Sequence, residues 1–123
     1  MLEKILINSK DIGRSGEKIA ARFLISKGCR LLEKNWRFEH FEVDLIVMDR
    51  RDLVFVEVKT AVGEKLEAAD YLSRFQVSRI KKAALAYADR LKFNLEFCRF
   101  DLVAVKIDRH FTSAKISYFR DIF

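Results

Sequence analysis

The segment FEVDLIVMDRRDLVFVEVKT, residues 41–60, constrains the fold more than any other stretch of the chain. Two runs rich in Val, Leu, Ile and Phe, Phe41–Met48 and Leu53–Lys59, flank the polar turn DRRD. Runs of this composition on either side of a polar turn predict a β-hairpin. The hairpin also carries Asp44, Glu57 and Lys59 among its apolar residues. A buried carboxylate is costly unless it is paired, hydrogen-bonded or bound to a metal. These charges are therefore either a satisfied ion-pair network or a chemical site.

Strand side chains alternate between the faces of a sheet. On the first arm Glu42, Asp44, Ile46 and Met48 then share one face. On the second, Phe55, Glu57 and Lys59 share a face, with Val54, Val56 and Val58 on the other. The tight turn makes the arms antiparallel neighbours, so Asp44 and Glu57 can lie side by side. Adjacent carboxylates repel unless a proton or a cation separates them. Mg²⁺ prefers oxygen ligands and often takes only one or two carboxylates, keeping several waters. Lys59 is spaced to orient a metal-bound water or to stabilise charge on a phosphate. An ordinary cross-strand pair, with Lys59 neutralising Glu57 or Asp44, is the favoured reading of this spacing taken alone, because D…ExK is a loose motif.

The surrounding elements follow from periodicity. Ile19, Ala20, Phe23 and Leu24 recur at helical spacing and predict a helix over Ser15–Lys27, started by Ser15 or Gly16 and stopped by a left-handed Gly28. Residues 30–38 predict a first strand. The polar stretch over 60–71 contains Gly63, lacks a period and reads as a mobile loop. A second helix is expected over Leu72–Leu91, then strands over Phe97–Ile107 and Lys115–Phe119. The order α-β-β-β-α-β-β is that of an α/β (α+β) protein, a mixed sheet flanked by helices, in one domain over residues 1–123.

Each helix offers one residue toward the hairpin. Glu17 lies beside Leu24 at the edge of the first apolar stripe and points more toward the sheet than into water. As a first-turn glutamate it is also explained by the helix dipole, worth only about 0.3–1 kcal/mol. Gln76 falls inside the stripe of Leu72, Ile80, Ala83, Tyr87 and Leu91. A polar amide there needs a partner, either core backbone or a site at the sheet edge.

With 123 residues, half of them hydrophobic, the chain can bury a core without disulfides. Cys29 and Cys98 lack metal-ligand spacing and read as reduced thiols of a cytoplasmic protein. The N-terminal MLEKILINSK is broken by Glu3 and Lys4, so neither a signal peptide nor a membrane span is expected. A net charge of +6 favours an anionic partner such as nucleic acid.

Taken in order, GRSGEKIAARFLISKG, NWRF, FEVDLIVMD, LVFVEVK and RFDLVAV resemble the YraN family (UPF0102), across residues 13–105. That family is similar to archaeal Holliday-junction resolvases and the PD-(D/E)XK nucleases. The resemblance implies a restriction-endonuclease-like mixed sheet and metal-dependent phosphodiester hydrolysis. It implies that Asp44, Glu57, the Val58 carbonyl and Glu17 ligate Mg²⁺ or Mn²⁺, that Lys59 positions the attacking water, and that Gln76 assists. Phe41 stands where the family has glycine, and Ala61 where it often has arginine. The roles of Glu42 and Asp101 stay open, with a structural one offered for Asp101 by its place on a strand.

Arg74, Arg79, Lys81 and Lys82 border the second helix stripe, and Arg50 and Arg51 cap the hairpin. Each reads as a solvated charge or, beside a metal site, as a contact to a nucleic-acid backbone. Trp36, Phe38 and Phe41 read as core packing or as platforms for unpaired bases. Three functions compete: an endonuclease on branched or structured DNA, a non-catalytic nucleic-acid-binding module of the same fold, and a protein–protein adaptor. A homodimer is suggested by the two scissile strands of a junction, by analogy alone.

Overall fold

The computed structural model describes residues 11–63 and 74–122; the side chains of residues 74–76 lie outside that description. Within it, α1 (Ile12–Ser26) precedes the strands β1 (Arg30–Phe38), β2 (Phe41–Asp49) and β3 (Asp52–Val62). Then come α2 (Arg74–Leu91), a single 3-10 turn at Leu95–Phe97, β4 (Cys98–Ile107) and β5 (Ala114–Phe119). The five strands lie in sequence order in one sheet. All pairings are antiparallel except β3 with β4, which run parallel across the α2 crossover. The expected element order and mixed sheet are both present.

Each face of the sheet carries one helix. Ala20, Ala21 and Leu24 of α1 pack on Leu45, Val47, Val54, Val56, Val58, Val103 and Val105. Ile80, Ala83, Ala84, Tyr87 and Ala88 of α2 pack on Val43, Ile46, Leu53 and Phe55. β3 has helices over both faces and is accordingly a nearly continuous apolar run. Trp36 meets Tyr87 edge-on at 5.0 Å between ring centroids, and Phe41 packs beside it. Both aromatics serve the core.

Three details differ from expectation, each for a physical reason. α1 begins at Ile12, so Gly16 lies inside the helix rather than at its start. Leu91 is 48% exposed, although it falls on the expected stripe. The helix stops there, because Lys92 adopts φ 53 and the Phe93 N–H returns to the Ala88 carbonyl at 2.8 Å. Phe93, rather than Leu91, then folds onto the core. β3 continues to Val62 because β4 pairs with it as far as Ile107, so Thr60–Val62 are strand, not loop. The rest of that expected loop, with Leu72, lies outside the described residues.

Gly28 does stop α1, at φ 96. Its N–H bonds the Ile25 carbonyl and the Cys29 N–H bonds that of Leu24, both at 3.0 Å, a Schellman closure. Cys29 and Cys98 are free thiols that burial pushes above their ordinary pKa, as expected of packed, unreactive cysteines. Among the described residues no helix is long and apolar enough to cross a membrane.

Candidate metal centre at a fork between strands

The β2–β3 ladder runs from Asp49↔Asp52 to Leu45↔Val56. One residue beyond, a side chain replaces the strand: Asp44 Oδ2 accepts the Val58 N–H at 2.8 Å. On its other edge β3 pairs with β4 from Leu53↔Cys98 to Val62↔Ile107, past the fork through Glu57↔Leu102 and Lys59↔Ala104. Asp44 therefore stands in the fork where β2 leaves β3.

Strand alternation also slips at this fork. Val43 and Ile46 pack in the same α2-side cluster, while Leu45 packs on the α1 side. The single shared face expected for Glu42, Asp44 and Ile46 is thus not formed. The slip carries Glu42 toward α1, where it meets Glu17. One carboxylate oxygen from each of Glu17, Glu42 and Asp44 lies within 4.8 Å of the others.

Gly16 brings α1 close enough for this. A Cβ at that position would lie 1.7 Å from Thr60 Oγ1 and 2.7 Å from Thr60 Cβ. Only a residue without a side chain allows the helix to rest there on β3. Glu17, the next residue, is delivered to the fork as a consequence.

Glu57 stands near enough to Asp44 for its charge to act on that carboxyl. Its Oε1 is 3.1 Å from Lys59 Nζ, and the two side chains are only 12% and 24% exposed. Burial, and then the charge of Glu57, push the Asp44 carboxyl up to about 8, against the pull of the Val58 N–H. Burial also raises Glu57, opposed chiefly by Lys59. Lys59 pairs with Glu57, whereas burial and the acids around Asp44 favour its protonated form, which a bound cation would displace.

Such a centre fits a hard divalent cation. Oxygens sharing one cation at about 2.1–2.5 Å stand at most about 4–5 Å apart, which Glu17, Glu42 and Asp44 satisfy. Of the residues expected from sequence, Glu17, Asp44, Glu57 and Lys59 converge, with the Val58 backbone at the same fork. Gln76 and Arg74 belong to the first turn of α2, with side chains outside the described residues. Arg79, Lys81 and Lys82 are exposed on α2, Lys82 with its Nζ 5.2 Å from the centre of the Phe41 ring. Arg50 and Arg51 line an open cleft of about 610 Å³ at the hairpin turn, shared with Lys27, Arg99 and Arg120.

Sequence reasoning left the role of Glu42 open and overlooked Asn35. The signal for Asn35 was its place in NWRF, where nothing in the spacing pairs it with an acid on another element.

The profile of the Uncharacterised protein family UPF0102 matches residues 16–105, which span both the α1 approach and the fork. The chain belongs to this family. A UPF0102 protein of Chlorobium phaeobacteroides is 40% identical over 114 residues, covering 89% of this chain and 87% of its own. Another, from Pelotomaculum thermopropionicum, is 37% identical over 115 residues and covers 93% and 96%. Among solved structures, SfsA of Pyrococcus furiosus in complex with Ca²⁺ overlaps 93% of this UPF0102 chain and 64% of its own. The TM-score is 0.40 with 19% identity, and nothing is carried over from it to the site.

Proposed function

We propose that this UPF0102 protein is a divalent-cation-dependent endonuclease that hydrolyses phosphodiester bonds in branched or structured DNA. The observation that carries the reading is the Asp44 fork, where Glu17, Glu42 and Glu57 surround one partly buried carboxylate beside Lys59. Asp44, Glu57 and Glu17, with the Val58 carbonyl, would hold Mg²⁺ or Mn²⁺, and Glu42 joins them. Such a cation, when bound, supplies Lewis acidity toward a phosphoryl oxygen and lowers the pKa of bound water.

The chain's own groups supply the remainder. The Val58 N–H fixes the orientation of Asp44. Lys59, held at 3.1 Å by Glu57, presents a cation where a scissile phosphate gathers charge and donates to the oxygen that attacks it. Arg79, Lys81 and Lys82 carry exposed positive charge for a DNA backbone, within a chain of net charge +6. Such contacts confer steep salt dependence.

The reading is tested on labelled four-way junction and linear duplex with Mg²⁺, Mn²⁺ or chelator. Cutting is expected only with metal, strongest on the junction. Glu57→Gln and Lys59→Ala are each expected to lower the rate by about 100-fold or more. Cutting in chelator, or undiminished cutting by both variants, would sink the reading. Salt-sensitive binding without cleavage in either metal would make the protein a nucleic-acid-binding module instead.

A further inference from the structure

We infer that Asn35 is a positioning residue of the metal centre, a neutral clamp that holds Glu17 of α1 and Glu42 of β2 at the spacing one cation needs. The inference rests on the metal-dependent reading above. The Asn35 amide donates to Glu17 Oε2 at 2.9 Å and Oε1 at 3.1 Å, and to Glu42 Oε1 at 3.0 Å. Its nitrogen thus bridges carboxylates from two elements. Arg37 holds the other oxygen of Glu42, Nε to Oε2 at 3.0 Å.

The backbone at Asn35 is arranged to allow the bridge. Asn35 adopts φ 48, in the left-handed region, within strand β1. Asparagine and aspartate are among the few side chains that tolerate that conformation. β1 also carries a register shift between Leu31 and Glu33, so the strand is locally irregular on its way to this position. Together these features turn a strand residue onto the acids instead of into the ladder.

The chemistry favours a neutral amide. Glu17, Glu42 and Asp44 would repel one another without a donor between them. A lysine at the same place would cancel one of the negative charges permanently and compete with a divalent cation. The amide lowers the cost of gathering the acids and leaves their charge intact. Each carboxylate oxygen has a second lone pair, so a hydrogen-bonded oxygen can still ligate. Groups that orient metal ligands in this way typically contribute 10–100-fold in metal affinity.

Two variants test the clamp while respecting the backbone. Asn35→Asp keeps the shape and the left-handed φ but replaces the donor with a fourth repelling acid beside Glu17, Glu42 and Asp44. Asn35→Gly adopts the same φ without strain and removes the side chain. Mn²⁺ binding is measured by calorimetry on the full chain without DNA, and Tm is measured in chelator.

Wild type is expected to bind Mn²⁺. Both variants are expected to bind it about 10–100-fold more weakly, with Tm in chelator nearly unchanged for at least one. Wild-type affinity in both variants would overturn the clamp while leaving the metal reading intact. Absence of Mn²⁺ binding by wild type would overturn both. Weakening that merely follows an equal loss of Tm in both variants would make Asn35 a structural residue and overturn the clamp.

Discussion

Gly16→Ala is expected to lower Tm by roughly 3–15 °C and to weaken the metal centre in the same step. The added Cβ would meet Thr60 Oγ1 at 1.7 Å, Cβ at 2.7 Å and Cγ2 at 2.8 Å. Rotating the threonine frees its outer atoms but not its Cβ, so α1 must lift from β3. Overpacking of this kind typically costs about 1–3 kcal/mol. Lifting α1 also withdraws Glu17 from Glu42 and Asp44, so Mn²⁺ affinity falls along with stability.

A second substitution separates the clash from a general intolerance of the helix. Thr60→Ala in the Gly16→Ala background leaves the 2.7 Å contact and restores little. Thr60→Gly removes every clashing atom and restores most of the loss, less about 0.5–1 kcal/mol for glycine in a strand. A Gly16→Ala protein that melts within a degree or two of wild type would show that the close approach is not what seats α1.

The same residue shows where sequence reading reaches and where it stops. The second helical stripe, the hairpin and the crossover strand follow from periodicity, because burial on a sheet face leaves a local pattern. Asp44, Glu57 and Lys59 were legible for a related reason, since charges stand out in apolar runs. Gly16 reads from sequence only as a helix-start signal. Its actual use depends on the distance to a threonine 44 positions later, which no local pattern encodes. Glu42 is misplaced by strict alternation because β2 slips one residue at the fork, and Asn35 is invisible without the strand pairing that brings it to Glu42. The chemistry is written in residue types, whereas its assembly depends on one close helix approach and two irregular strands.

The Arg99–Asp101 pair, away from the fork, carries the other large effect: Arg99→Met is expected to cost about 3–5 kcal/mol. Arg99 is 9% exposed and Asp101 fully buried. Arg99 donates Nε to Asp101 Oδ1 at 3.0 Å, Nη1 to Asp52 at 2.9 Å and Nη2 to Asp49 at 2.7 Å. It ties the β2–β3 turn to β4. Tyr118 and the Asp121 N–H complete the shell of Asp101 and tie in the C-terminal strand. Burial opposes the Arg99 cation, but its bonds to Asp101 and Asp49 hold its pKa above the ordinary value. Removing the guanidinium therefore leaves the buried Asp101 carboxylate without its cationic partner. The double variant Arg99→Met/Asp101→Leu removes both charges and is expected to recover much of the loss, because an apolar pair of similar volume often replaces a buried ion pair at little cost. The pH dependence follows from Asp49, whose carboxyl the Arg99 hydrogen bond holds below the ordinary range. Its contribution to stability is complete above the unfolded carboxylate pKa of about 3.9 and disappears as pH falls through the lower folded value. Denaturant titrations from pH 7 down to 2 are thus expected to show a steeper acid loss in wild type than in Arg99→Met. Equal acid slopes, or an Arg99→Met cost below about 1 kcal/mol, would remove this network from the forces holding the hairpin to the sheet.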